Sequence, residues 1–262
     1  MRPLHDFRVP QNLKFVFCDI DDTLTTEGRL TAEAYQALEN LAAQGLSVIP
    51  LTGRPAGWCE MIARFWPVAA VVGENGAFYF RYLKGRMKRH FAVPEAQRKK
   101  NRLLLDSKIA PQILREVPGA ALASDQFCRI SDLAIDFCED VTPLSKNKVQ
   151  RIVQIFEKHG ATAKVSSIHV NGWFGSFDKA TTSTLLLKRE FGLNLERANH
   201  RCVFIGDSPN DEPLFSQFKN SFAVANIRDF ISDLTSPPRY VTKAASGKGF
   251  VQFARFLLRE LC

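Results

Sequence analysis

The sequence predicts an α/β protein: a Rossmann-like parallel-sheet core interrupted by an inserted α+β domain. Three observations predict it. Apolar strand-like runs alternate with amphipathic stretches from residue 14 to about residue 76. Near residue 77 that rhythm gives way to paired strands and long helical stretches, and at about residue 178 it returns. Strands alternating with helices imply right-handed crossovers and a parallel sheet, whereas strands and helices mixed without that alternation mark a separate α+β unit. The expected division is residues 1–80 and 177–262 for the core and residues 81–176 for the insertion.

The elements follow in order. "KFVFCDI" (14–20) is a short apolar run suited to a strand buried on both faces. "LTAEAYQALENLAAQG" (30–45) reads as a helix, with Thr31 as N-cap, Ala34, Leu38, Leu41 and Ala42 on one face and Gly45 at its end. "LSVIPLTGR" is a second strand, "PAGWCEMIARFW" a second helix with Pro55 near its first turn, and "VAAVVGENG" a third strand. "AFYFRYLKGRMKRHF" reads as two antiparallel strands around Lys84-Gly85. "EAQRKKNRLLLDSKIAPQILREV" is helical with an interruption at Pro111, "FCRISDLAIDFCED" alternates as a strand, and "PLSKNKVQRIVQIFEKHG" is a helix capped at Ser145. "TAKVSSIHVNGWFG" is a strand or hairpin. After it come a helix ("KATTSTLLLKREFG"), a strand ("RCVFIGD"), a short helix ("NDEPLFSQF"), two strands ("NSFAVAN", "RYVT") and a closing helix.

Composition narrows the class. The 262 residues are 45% apolar and 24% charged, enough for a sizeable core. No apolar run approaches the roughly 18–20 residues of a membrane span, and "MRPLHDFRVPQN" has no apolar signal region. The cysteines at 18, 59, 128, 138, 202 and 262 form no CxxC pair. Free thiols in a reducing cytoplasm fit them better than disulfides or zinc. The formal charge is +8, with basic clusters at 81–90 and 97–102. These read first as solvated surface and second as a field for an anionic substrate or nucleic acid. No nucleic-acid signature or interleaved aromatic platform accompanies them, so no specific nucleic acid and no membrane is expected as a partner. A monomer or homodimer is expected.

In parallel α/β sheets, sites form at the carboxyl ends of the strands. Asp19, Asp21 and Thr23 follow the first strand, Thr52-Gly53-Arg54 the second, Glu74-Asn75-Gly76 the third, and "GDSPND" (206–211) a later one, while Lys179 opens a helix after the insertion. Clustered carboxylates become tolerable around a divalent cation. Asp19 and Asp207 are hard oxygen ligands of the kind Mg²⁺ prefers, and no histidine or cysteine grouping offers a zinc site. Thr52 and Lys179 add a hydroxyl and a positive charge suited to phosphate. Carboxylate, metal and phosphate donors together point to phosphoryl transfer.

"DIDDT" (19–23) resembles the DxDxT signature of the haloacid dehalogenase superfamily. "LTGR", Lys179 and "GDSPND" are similar to its second, third and fourth motifs, in the right order. An insertion between the second and third motifs resembles the superfamily's C2-type cap, and "ENGA" (74–77) is similar to its IIB subfamily, which includes sucrose-phosphatase-like and mannosyl-3-phosphoglycerate-phosphatase-like enzymes and a phosphomannomutase. The resemblance implies the following roles. Asp19 is the nucleophile, and Asp21 is the general acid that then activates water. Mg²⁺ is held by Asp19, Asp207 and the main-chain carbonyl of Asp21, with Asp211 orienting a metal-bound water. Thr52 and Lys179 hold the phosphoryl oxygens, with Asn210 beside them. Gly53 and Arg54 are substrate-side candidates as well, against the plainer readings of close backbone approach and helix start. The superfamily's cation pumps have threonine where Asp21 stands, so the aspartate favours phosphatase or mutase chemistry.

Two stretches of the insertion are over-polar for simple strands: one carries Asp125, Gln126, Arg129 and Asp132, the other Ser167, His169, Asn171 and Trp173. Alternation puts His169, Asn171 and Trp173 on one face, where indole, amide and imidazole would suit a sugar. An ordinary strand with a packed tryptophan is the equal alternative. Arg129 joins them as a substrate-binding candidate. The expected activity is Mg²⁺-dependent hydrolysis of a phosphomonoester, a sugar phosphate of the trehalose, sucrose or mannosylglycerate type, through an aspartyl-phosphate. A phosphosugar mutase, or a non-enzymatic polyanion or nucleic-acid binder on the same core, are the alternatives.

Overall fold

The computed structural model describes residues 1–166 and 168–261; Ser167, named above with the polar strand, and Cys262 lie outside the described residues. The chain opens with a two-residue strand β1 (Arg2–Pro3) and continues through β2 (Phe15–Asp19), α1 (Ala32–Ala43), β3 (Ser47–Leu51), α2 (Ala56–Phe65) and β4 (Val71–Gly73). A hairpin, β5 (Phe78–Leu83) and β6 (Arg86–Phe91), leads to α3 (Glu95–Leu104), α4 (Ala110–Glu116), β7 (Ala121–Leu122), β8 (Asp132–Asp136), α5 (Lys146–Lys158), β9 (Thr162–Val165) and β10 (His169–Trp173). The rest is α6 (Lys179–Phe191), α7 (Leu195–Ala198), β11 (Cys202–Gly206), α8 (Glu212–Gln217), β12 (Ser221–Ala223), β13 (Tyr240–Val241) and α9 (Ser246–Leu261).

The larger sheet has the order β1-β13-β12-β11-β2-β3-β4-β5-β6. It is parallel from β1 to β4 and antiparallel through β5 and β6. Alternation along β2 sorts its side chains. Val16 and Cys18 join a core that includes residues of α1, α2 and α9, while Phe15 and Phe17 join a second core with α6, α7 and α8. Helices therefore cover both faces, as a parallel sheet requires. Pro50 lies within β3 and has no N–H for its neighbour. The β3–β4 ladder is correspondingly short, with Leu51 opposite Val72 its recorded register pair.

An insertion starting at residue 81 would cut the β5–β6 hairpin, and the pairing corrects that boundary. Lys84 and Gly85 both adopt positive φ, 50° and 74°, the geometry of a tight two-residue hairpin turn. β6 thus lies along β5 in full register and extends the core sheet to Phe91. Beyond it, the insertion builds its own antiparallel sheet, β7-β8-β10-β9. Leu133, Ile135 and Val170 turn toward a separate core with Ile113 of α4 and Ile152, Ile155 and Phe156 of α5. The opposite face of the same strands carries Asp132, Asp136, His169 and Asn171, all buried. At Pro111 the helical stretch does not break. Leu105–Ile109 widen into a π turn between α3 and α4, which accommodates a ring that lacks an N–H and crowds the preceding turn. The N-cap at Thr31 is present, its hydroxyl accepting from Ala34 N at 3.3 Å, whereas Ser145 precedes α5 without a side-chain cap bond. Cys18, Cys59, Cys128 and Cys202 are free thiols, and no helix among the described residues is long and apolar enough to cross a membrane.

Candidate active site

Strand order builds the site. β11, β2, β3 and β4 are neighbours, so the segments after their carboxyl ends converge on one edge of the sheet. Asp19 ends β2 and Asp207 follows β11, and both are buried. Lys179 begins α6, whose start is docked by the turn at Glu74–Gly76. In that turn Gly76 has φ +103°, and a Cβ there would lie 2.1 Å from the Asp178 carbonyl. Its own carbonyl accepts from Thr182 Oγ1 at 2.6 Å. Only glycine lets the turn approach α6 this closely. Gly206 serves a similar end, since a Cβ there would sit 2.2 Å from Asp211 Oδ2.

Lys179 Nζ lies 2.5 Å from Asp19 Oδ1 and 3.3 Å from Asp211 Oδ1. Asp211 Oδ2 accepts from Asp207 N at 3.1 Å, and Thr23 Oγ1 donates to Asp207 Oδ1 at 3.2 Å. Asp19, Asp207 and Asp211 each present an oxygen within 4.8 Å of the others. Burial, with Asp211 and Asp21 adding to it, pushes the Asp19 carboxyl well above the usual carboxylate range against the pull of Lys179. Burial also pushes Asp207 up, followed by Asp211, Asp19 and Asp22. Burial works against the Lys179 ammonium, but Asp19 and Asp211 outweigh it and hold its pKa above the usual lysine value. Three carboxylates crowded around one ammonium leave an excess of buried negative charge. That oxygen set fits a small divalent cation such as Mg²⁺.

Around this cluster lies a chamber of about 50 Å³, lined from the core by Asp19, Asp21, Gly53, Arg54, Asn75, Lys179, Asp207, Ser208 and Asn210 and from the insertion by Arg129, His169 and Asn171 among others. A larger cavity of about 660 Å³ lies between the first residues and α9, away from all of these groups, and holds no comparable cluster. Asn75 Nδ2 is buried on the chamber wall without a hydrogen-bond partner among the described residues.

Several expected substrate groups are otherwise engaged. Arg54 grips Asp21 through Nε (3.0 and 3.2 Å) and Nη2 (2.9 Å), reaches Glu139 Oε1 through Nη1 (3.2 Å), and stacks on Trp58 at 4.7 Å. The Asp21 carboxylate is therefore held by Arg54 on the chamber wall, near Asp19. Arg129 donates to Asp125 and Asp132 and, across to the core, to the Gly53 carbonyl at 2.9 Å. Thr52 is fully buried behind the chamber, its hydroxyl oxygen accepting from Arg54 N at 2.9 Å. Asn171 Nδ2 donates to Asp132 Oδ2 at 2.8 Å, and His169 Nε2 lies 2.9 Å from Glu139 Oε2. Trp173 is absent from this chamber's wall and lines a small adjoining cavity of about 70 Å³ with Asn75, Lys179 and Asn210; it is 2% exposed and stacks on Phe177 at 5.7 Å within the hydrophobic core. Trp173→Ala is accordingly expected to cost about 3–5 kcal/mol of unfolding free energy in a urea titration. Unchanged stability with lost turnover would return the indole to the substrate.

The structure adds groups that sequence reasoning missed. Glu74 is fully buried and accepts from Ala56 N (3.0 Å) at the start of α2 and from Ile130, Ser131 and Asp132 N of the insertion (2.9, 2.6 and 3.2 Å). Burial, and then Asp132, raise its pKa to about 7. His169 and Arg54 hold the Glu139 carboxyl down to about 2 against burial. Asn226 Nδ2 donates to the Asp22 carbonyl at 3.2 Å, fixing the loop beyond the first motif. For Glu74 the sequence signals were its place after the third strand and in "ENGA", without a role attached, and Glu139 had none.

A family model described as haloacid dehalogenase-like hydrolase matches residues 16–100. No curated protein matches the chain by sequence. Among solved structures, a Thermoplasma acidophilum protein superposes with a TM-score of 0.72 at 19% identity, covering 95% of this chain and 99% of its own. A trehalose-6-phosphate phosphatase related protein does so with a TM-score of 0.63 at 15% identity, covering 94% and 97%. A subclass IIB sugar phosphatase of the superfamily reaches 0.62 at 14% identity, covering 93% and 98%. At these identities the likeness is one of fold. Residues 16–100 are thus similar in sequence to the haloacid dehalogenase-like hydrolases, and nearly the whole chain shares its fold with these solved structures.

Proposed function

We propose that the chain is a Mg²⁺-dependent phosphatase that hydrolyses a small phosphomonoester, a sugar phosphate by preference, through an aspartyl-phosphate on Asp19. The observation that carries this reading is the buried cluster of Asp19, Asp207, Asp211 and Lys179 on the chamber wall, with Asp21 held beside it. Lys179 holds Asp19 Oδ1, which leaves Oδ2 to bond to phosphorus as the bond to the leaving oxygen breaks. Asp21 gives its proton to that oxygen and later takes one from the water that opens the aspartyl-phosphate, so phosphate leaves and Asp19 is regenerated. Lys179 and the free amide of Asn75 are the nearest donors for phosphoryl oxygens. Asp19, Asp207 and Asp211 would hold Mg²⁺, which would neutralise the charge between carboxylate and phosphate. The insertion, residues 92–176, is the cap over the leaving group. The solved subclass IIB sugar phosphatase of the same fold, and the chamber wall carrying His169 and Asn171, support a sugar.

The test is phosphate release from a panel of sugar phosphates with Mg²⁺ and with chelator. Release that needs the metal is expected. Transfer of phosphate between hydroxyls of one sugar without release would replace hydrolysis by a mutase activity. Inactivity on every sugar phosphate and on an aryl phosphate, by folded protein, would remove the phosphatase reading.

A further inference from the structure

We propose that Glu139, a residue of the insertion, is a positioning residue for the general acid Asp21, acting through Arg54. The proposal rests on the phosphatase reading above. Arg54 meets both Asp21 oxygens from the side, through Nε and Nη2, and this fixes the rotation of the carboxylate as well as its place. The only remaining nitrogen of the fork, Nη1, faces Glu139 Oε1 at 3.2 Å. Without that second anchor a guanidinium on a long side chain keeps several torsions free, and Asp21 moves with it. Asp125 Oδ2 stands 3.9 Å from the same nitrogen, beyond hydrogen-bond length.

Glu139 is itself built in. Asp136, at the end of β8, accepts from Cys138 N (2.9 Å), Glu139 N (2.8 Å) and Asp140 N (2.8 Å), folding the segment back on the strand. Glu139 Oε2 lies 2.9 Å from His169 Nε2 of β10. A single line of contacts therefore runs from the cap sheet to the general acid: His169, Glu139, Arg54, Asp21. It can be complete only while the cap is seated. Seating has other supports, since Glu74 binds the main chain of residues 130–132 and Arg129 binds the Gly53 carbonyl. Removing the Glu139 carboxylate should thus leave the cap in place and loosen only the aim of Asp21.

The experiment compares kcat/KM for a sugar phosphate and for nitrophenyl phosphate in wild type, Glu139→Ala and Glu139→Gln. This parameter covers only the steps through loss of the first product. A sugar alkoxide needs a proton to leave, and nitrophenolate does not. Glu139→Ala is expected to lower the sugar-phosphate value by up to about a hundredfold, the cost of misplacing a catalytic group by roughly 1 Å, while the nitrophenyl value stays near wild type. Glu139→Gln, which keeps an oxygen for Arg54, is expected to recover part of the loss. Equal losses on both esters, or no loss on either, would overturn the proposal. A wild-type protein that cleaves neither ester would overturn the phosphatase reading, and this proposal with it.

Discussion

Asp19→Asn is expected to lower phosphate release by about 10⁴-fold or more, the scale set by loss of a covalent nucleophile. The amide has the same shape as the carboxylate but cannot be phosphorylated. Folding should survive the change. Lys179 keeps Asp211 at 3.3 Å, and the amide oxygen can still accept from it. The substitution also removes one charge from a cluster in which burial pushes the Asp19 carboxyl upward. A protein that melts cooperatively and releases no phosphate is the expected result. Wild-type turnover in this variant would dismiss Asp19 as nucleophile.

The second large effect concerns metal and pH together. Asp19, Asp207 and Glu74 all have carboxyls raised by burial, so the folded chain binds their protons more tightly than the unfolded chain does. Each contributes stability that is fully present below the ordinary carboxylate value and is lost as pH rises through the raised one. For Glu74 that window runs from about 4.5 to about 7; for the two aspartates it opens in the same range and extends upward. In chelator, urea midpoints should therefore fall from about pH 5 to about pH 7. Mg²⁺ takes only the ionised carboxylates, so its stabilisation should be largest at the upper end. At a hundredfold excess over its Kd it would restore about 2.7 kcal/mol. Asp207→Asn should show a shallower pH slope and little response to Mg²⁺. A wild-type midpoint indifferent to Mg²⁺ at about pH 8 would remove the metal from this cluster.

The parallel core was legible because its signals are local. A buried strand needs a short apolar run, and its carboxyl end is marked by the first polar residues after it, as at Asp19, Thr52 and Asp207. The hairpin at 78–91 was legible as a hairpin but not as part of the core, since period-two alternation does not say which sheet a strand joins. Alternation likewise put His169, Asn171 and Trp173 on one face without saying what faces them. The first two meet Glu139 and Asp132 by the chamber, while the third meets Phe177 in the core. The arginines were least legible. Arg54 and Arg129 looked free for an anionic ligand. Arg129 meets Asp125 and Asp132, four and three residues away, a pairing that its spacing did offer, whereas Glu139 is 85 residues from Arg54 and the Gly53 carbonyl is 76 from Arg129. Pairing at that distance leaves no trace in spacing.

The β5–β6 hairpin also bears on how the protein behaves in a crowd. A sheet that ends in an open strand offers a row of unused main-chain groups to any second copy, which is a route to aggregation. At one margin this sheet ends in β1, only two residues long; at the other it ends in β6, where Arg86, Lys88 and Arg89 are all exposed. Lys88 and Arg89 are tethered to Glu190 and Glu60 of the same chain, so they stay beside the strand. A second molecule docking edge to edge would bring its own copies of these cations against them. A run of positive charge thus stands guard over the one long margin at which the sheet could continue into another molecule.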